Sequence, residues 1–125
     1  MKNLCRLDDG RFVCSLSNNN IIVFNKRTFK SDIIIKEIDS EISDIIRLDS
    51  NILAICIKDK KIILYQVKGN NYINFQTLND HKSWVNKIID INNKYLVSCS
   101  SDQSIIFYYK YYKYAIHHRY LSFNG

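Results

Sequence analysis

Hydrophobic positions in this chain come in short runs separated by polar turns. NLCRL (3–7), RFVCSLS (11–17), IIVF (21–24) and FKSDIIIKEI (29–38) follow one another, with Asp8-Asp9-Gly10, Asn18-Asn19-Asn20 and NKRT (25–28) between them. Runs rich in Ile, Val, Phe and Tyr, spaced about 8–12 residues apart and bounded by Asn, Asp, Ser and Gly, are the pattern of strands joined by tight turns. Gly10 can take the positive φ that the first of these turns favours. An amphipathic helix would repeat its apolar residues at i, i+3 and i+4, whereas adjacent pairs such as Ile21-Ile22 and Ile62-Ile63 recur here. The pattern predicts an all-β chain. IIVF, KIILY and SIIFYY are apolar on both faces, which predicts sheets covered above and below by other sheets.

The chain also repeats itself. A shift of 43 residues sets Leu53 on Leu96, Cys56 on Cys99, Asp59 on Asp102, Ile62-Ile63 on Ile105-Ile106 and Tyr65 on Tyr108. A shift of 41 carries the first part onto the second: Arg6-Leu7-Asp8 falls on Arg47-Leu48-Asp49, Asn18 on Asp59 and Phe24 on Tyr65. Three units of about 42 residues, roughly 1–38, 39–79 and 80–125, account for the chain as a single repeat region. Each divides into four runs. In the second unit these are 43–48, 51–57, 61–67 and 71–78, and in the third 85–91, 94–100, 104–110 and 113–121. About twelve strands in three antiparallel four-stranded sheets are expected.

Residues 78–109, LNDHKSWVNKIIDINNKYLVSCSSDQSIIFYY, hold the fullest copy of the unit. Four strands in about 42 residues is the period of a WD40 propeller blade. LNDHKSWV resembles that family's Leu-Gly-His loop ending in Val, with Asp80 where glycine is usual. LVSCSSDQSIIFYY resembles its second strand, Asp turn and third strand, with Tyr108-Tyr109 in place of Trp-Asp. The earlier units keep the strand pattern and lose the polar marks: Ile38 falls where His81 does, and Asn18 where Asp102 does. The resemblance implies a partial β-propeller of three blades, the third held by a hydrogen-bonded chain of His81, Ser98, Asp102 and Tyr108. Such a chain is physically sound, because a buried imidazole needs partners on both nitrogens and an Asp turn plus a hydroxyl supplies them. Three blades fall short of the usual four to eight. The expectation is therefore part of a larger propeller, or one completed by self-association or by a further chain.

His81, Ser98 and Asp102 are also the residue types of a hydrolase triad. No nucleophile elbow or oxyanion loop surrounds them in the sequence, and no Gly-rich phosphate loop or carboxylate pair occurs, so no enzymatic activity is expected. Cys5, Cys14, Cys56 and Cys99 form no C-x-x-C pair and read as small hydrophobes. His117 and His118, as neighbours on a strand, are expected on opposite faces, so no metal or cofactor is predicted. The net charge of +6 is spread without blocks of one sign, and the absence of proline beside abundant Ile, Asn, Lys and Tyr points to compositional bias rather than to an anionic partner. No apolar run approaches the ~20 residues of a membrane helix, and the N-terminus does not read as a signal peptide. A cytoplasmic location without membrane association is the resulting expectation.

The resemblance implies a non-catalytic scaffold that presents loops to a protein or peptide partner. Trp84, the single tryptophan, lies with Lys82 in the loop leading into the third unit, and Glu41 is the counterpart of Trp84 in the second. Tryptophan is enriched at interaction hot spots, which makes these three the candidate binding residues. The alternative is a basic, aromatic nucleic-acid-binding module. Its signal is YYKYYKYAIHHRYLSF (108–123), where aromatics alternate with Lys110, Lys113 and Arg119. The strand reading of that stretch is preferred over it. A truncated propeller fragment without independent function is a further alternative.

Overall fold

A computed structural model describes residues 3–110 and 113–121 of the chain. Among the described residues the chain is all-β, with one short 3-10 turn at Asp49–Asn51. The first sheet holds β1 (Asn3–Arg6), β2 (Phe12–Ser15), β3 (Ile21–Phe24) and β4 (Ser31–Ile35). The second holds β5 (Ile42–Leu48), β6 (Ile52–Ile57), β7 (Ile62–Lys68) and β8 (Asn71–Leu78). The third holds β9 (Val85–Ile91), β10 (Tyr95–Ser100), β11 (Ser104–Lys110) and β12 (Tyr114–Leu121). Every sheet is an antiparallel meander in which sequential strands are neighbours.

The repeat extends to backbone detail. Asn19, Lys60 and Gln103 have φ of 69°, 68° and 67°, and the shifts of 41 and 43 residues superpose them. Each turns the chain from the second to the third strand of its sheet. In the first and third sheets that turn closes by Asn19 N–H on the Leu16 carbonyl and Gln103 N–H on the Ser100 carbonyl. Left-handed backbone disfavours most side chains, so its recurrence under three different residues shows that the turn geometry outranks local preference.

A second shared device is a β-bulge between the third and fourth strands. It follows Val23 in the first sheet, Leu64 in the second and Phe107 in the third, and these positions are also equivalent. The extra residue is left unpaired, and the fourth strand bends and twists more strongly there. The bulge also revises one expectation. His118 pairs with Phe107 and Ile116 with Tyr108, leaving His117 as the extra residue. Normal alternation is interrupted there, and both imidazoles come to the same face of the third sheet, with Tyr95, Phe107 and Ile91.

The core falls into two layers. Val13, Ile21, Val23, Ile33 and Ile35 of the first sheet meet Ile42, Ile45, Leu53, Ile55 and Tyr65 of the second. The opposite face of the second sheet, with Leu48, Ala54, Cys56, Ile62 and Leu64, meets Val85, Ile88, Leu96, Ile106 and Tyr108 of the third. Among the described residues only the middle sheet has both faces covered, and all six residues of β6 are buried. The expectation that every sheet is sandwiched therefore holds for the second; the first and third are each covered on one face. The sheets do not close into a ring, and the arrangement is propeller-like. No helix among the described residues is long and apolar enough to cross a membrane.

Candidate functional site

The third sheet is tied together by a polar chain. His81, in the loop between β8 and β9, places Nδ1 3.1 Å from Asp102 Oδ2 and Nε2 2.7 Å from Ser98 Oγ. Asp102 sits in the turn between β10 and β11 and Ser98 within β10. An ionised carboxylate has no proton to give, so Nδ1–H donates to Asp102, and in the neutral imidazole Nε2 accepts from the Ser98 hydroxyl. Asp102 gathers further donors: Lys82 N–H at 2.8 Å, Ser104 N–H at 2.8 Å and the Ser104 hydroxyl at 2.5 Å. Burial by itself would raise the Asp102 pKa, but the donors from Ser104, Lys82 and His81 outweigh it and hold the carboxyl well below its usual range.

Tyr108 joins this chain at one end and leaves it at the other. Its hydroxyl meets Ser98 and donates to Asp80 Oδ2 at 3.1 Å. In the second sheet the Tyr65 hydroxyl donates to Glu37 Oε2 at 3.1 Å, and Glu37 stands 43 residues before Asp80. A tyrosine on the third strand thus grips an acidic residue in the loop leading to the sheet, twice over. Tyr72 adds a second donor to Glu37 at 3.1 Å. Burial first, and the facing carboxylate second, push the Tyr65 and Tyr108 hydroxyls well above the ordinary tyrosine pKa. Asp80 and Tyr108 are therefore two halves of one contact.

Two of the same places in the second sheet are apolar. Ile38 occupies the position of His81 and Ile55 that of Ser98, and both are buried. Asp59, the counterpart of Asp102, is exposed, with Lys61 Nζ 3.9 Å away. One sheet fills this space with two isoleucines and the other with an imidazole, a hydroxyl and a carboxylate. The Asp–His–Ser connectivity of the third sheet is that of a hydrolase triad, yet Ser98 is 0% exposed and sits against Tyr108. A substrate carbonyl has no path to its Oγ while the sheet is intact.

The candidate binding residues lie at the loop end of the second and third sheets. Trp84 is 50% exposed. Lys58 Nζ stands 4.3 Å from the centre of its ring and 2.5 Å from Glu41 Oε2. Lys58 therefore joins Glu41 and Trp84, which are equivalent residues of successive units, in one line. Nothing in the local sequence pattern distinguishes Lys58 from the neighbouring Lys60 and Lys61. The backbone beneath is regular: Lys58 N–H donates to the Glu41 carbonyl and Ser101 N–H to the Trp84 carbonyl, both at 2.9 Å and again 43 residues apart. Lys82 is exposed, and its backbone N–H is fixed by Asp102. The polar chain of the third sheet thus anchors the loop that carries Lys82 and Trp84.

The C-terminal aromatic stretch is divided by the fold. Tyr108 and Tyr114 are buried in the layer between the second and third sheets, while Tyr109 and Tyr120 lie on the open side of the third. Burial, followed by the charges of Asp90 and Asp49, pushes the Tyr114 hydroxyl up to about 12. No group of three or more His, Cys, Asp or Glu among the described residues is placed to hold a metal ion. No protein-family model matches the chain, and a search of curated proteins finds no significant match.

Proposed function

We propose that the chain is a non-catalytic, WD40-like interaction scaffold that presents the loop end of its second and third sheets to a protein or peptide partner. The observation that carries this reading is the half-exposed Trp84, lying under Lys58 on a loop braced by His81 and Asp102. A rigid aromatic loses little entropy when it is covered, and a cation over its ring keeps one face engaged while the other is open. The exposed Lys82 beside it favours a peptide with an apolar anchor followed by a carboxylate. The four cysteines are free thiols, which suits a reducing, cytoplasmic compartment. The basic nucleic-acid reading loses support from the burial of Tyr108 and Tyr114, which removes two of its stacking aromatics.

Trp84 is the only tryptophan, so tryptophan emission excited selectively over tyrosine reads this loop alone. Peptides selected from a random displayed library against the whole chain are expected to shift Trp84 emission on binding. They are expected to bind the Trp84→Ala variant at least about tenfold more weakly, as for a central hot-spot residue. A selection whose binders neither change the emission nor respond to Trp84→Ala would overturn the assignment.

A further inference from the structure

Each sheet has two faces, and the repeat makes them comparable. One face carries Val13, Ala54 and Val97 at equivalent positions and is here named forward; the other carries Phe12, Leu53 and Leu96 and is named backward. The forward face of the first sheet packs on the backward face of the second, and the forward face of the second on the backward face of the third. The two layers are successive uses of one head-to-tail interface. What is left open is a forward face on the third sheet and a backward face on the first.

The open backward face contains a residue that the covered ones explain. Tyr72 and Tyr114 each stand two residues before the partner of the third-strand tyrosine: Asn74 faces Tyr65 and Ile116 faces Tyr108. Tyr72 packs against the first layer, and Tyr114 is buried in the second. The same position in the first sheet, two before the Ser31 that pairs with Phe24, is Phe29. Phe29 is 68% exposed, and its φ is 59°. A bulky aromatic held in left-handed backbone and in water is costly on both counts, and such strain concentrates at contacts that use it. Leu4, equivalent to the buried Ile45 and Ile88, is likewise exposed at 59%.

The open forward face is the complement. Ile89, 56% exposed, corresponds to Ile46, which packs into the second layer, and Ile105 to the fully buried Ile62. The bulge places His118 opposite Phe107 as Gln76 lies opposite Leu64. Gln76 clamps the backbone of Tyr114 in the next sheet, with bonds of 2.7 and 2.8 Å. His118 thus occupies the place from which a fourth strand reaches the aromatic of the following sheet, and Phe29 is the aromatic of the sheet whose backward face is open.

We propose that the forward face of the third sheet binds the backward face of the first sheet of a second copy of this chain, and that two copies close head to tail into a six-sheet ring. The occupant follows from continuity with the interface used twice within the chain, and a second copy carries the matching face uncovered. Six sheets lie within the four to eight of known propellers. A head-to-tail contact stays finite when its rotation closes. This proposal stands apart from the Trp84 surface and does not require it.

The test is light scattering coupled to size-exclusion chromatography on the 125-residue chain. The expected mass is twice the 14.8 kDa of one chain. Phe29→Asp suits the left-handed backbone better than phenylalanine and is expected to give a folded monomer, as is Ile89→Lys on the other face. Should Ile89→Lys lose its β circular dichroism, Tyr120→Asp on the outer strand takes its place. An equimolar mixture of the two variants retains one unaltered interface and is expected to recover dimer. A folded wild-type monomer would overturn the proposal. So would a Phe29→Asp variant that still dimerises, which indicates forward-to-forward pairing, or an open series of larger assemblies.

Discussion

His81 and Asp102 fix each other. The imidazole is held by a carboxylate on one side and a hydroxyl on the other, and the carboxylate collects donors from Ser104 and Lys82 as well. Because the folded state lowers the Asp102 pKa, the ionised carboxylate contributes stability that is complete above the unfolded-state value near 3.8. That contribution is lost progressively as pH falls from there through the folded-state value. Asp102→Asn removes the titration. The melting temperatures of wild type and variant are therefore expected to differ most at neutral pH and to converge below about pH 4. Thermal denaturation followed by circular dichroism across that range reads the gap, and a gap independent of pH would contradict the account.

Between elements, the second and third sheets solve one packing problem in two ways. Ile38 and Ile55 fill the space that His81 and Ser98 fill 43 residues later. Replacing one member of a buried polar pair strands the other, whereas replacing both with apolar groups is far less costly. His81→Ile alone is expected to destabilise the chain by about 1–3 kcal/mol, and adding Ser98→Ile is expected to return part of that loss. Chemical denaturation of the two single variants and the double variant measures it, and costs that simply add would refute the equivalence. The strands and turns were readable because hydrophobic periodicity and repeat spacing record them directly. The contact of His81 with Ser98 and Asp102 was implied instead by the family resemblance of the third unit. Lys58 was not readable, since its partners Glu41 and Trp84 come from two different units and only the stacking of sheets brings them together. Nor were His117 and His118, because a bulge breaks the alternation from which facing is inferred. Asp80 departs from the resembled pattern in sequence, and its bond from the Tyr108 hydroxyl is visible only in the fold.

At the scale of the molecule, stability is uneven by construction. The middle sheet is covered on both faces, and the outer two on one. Amide hydrogen exchange is expected to be slowest in β6, whose residues are all buried, and faster by at least about tenfold in β1 and β12, which open with less apolar area to expose. Uniform protection across the three sheets would show that they open together. The equivalence of forward and backward faces has a consequence for ancestry as well. A gene that gains or loses one whole unit leaves the same two kinds of face at the ends of its product. Duplication can therefore change the number of sheets without inventing a new joint, because each added unit can reuse the forward-to-backward contact already present twice.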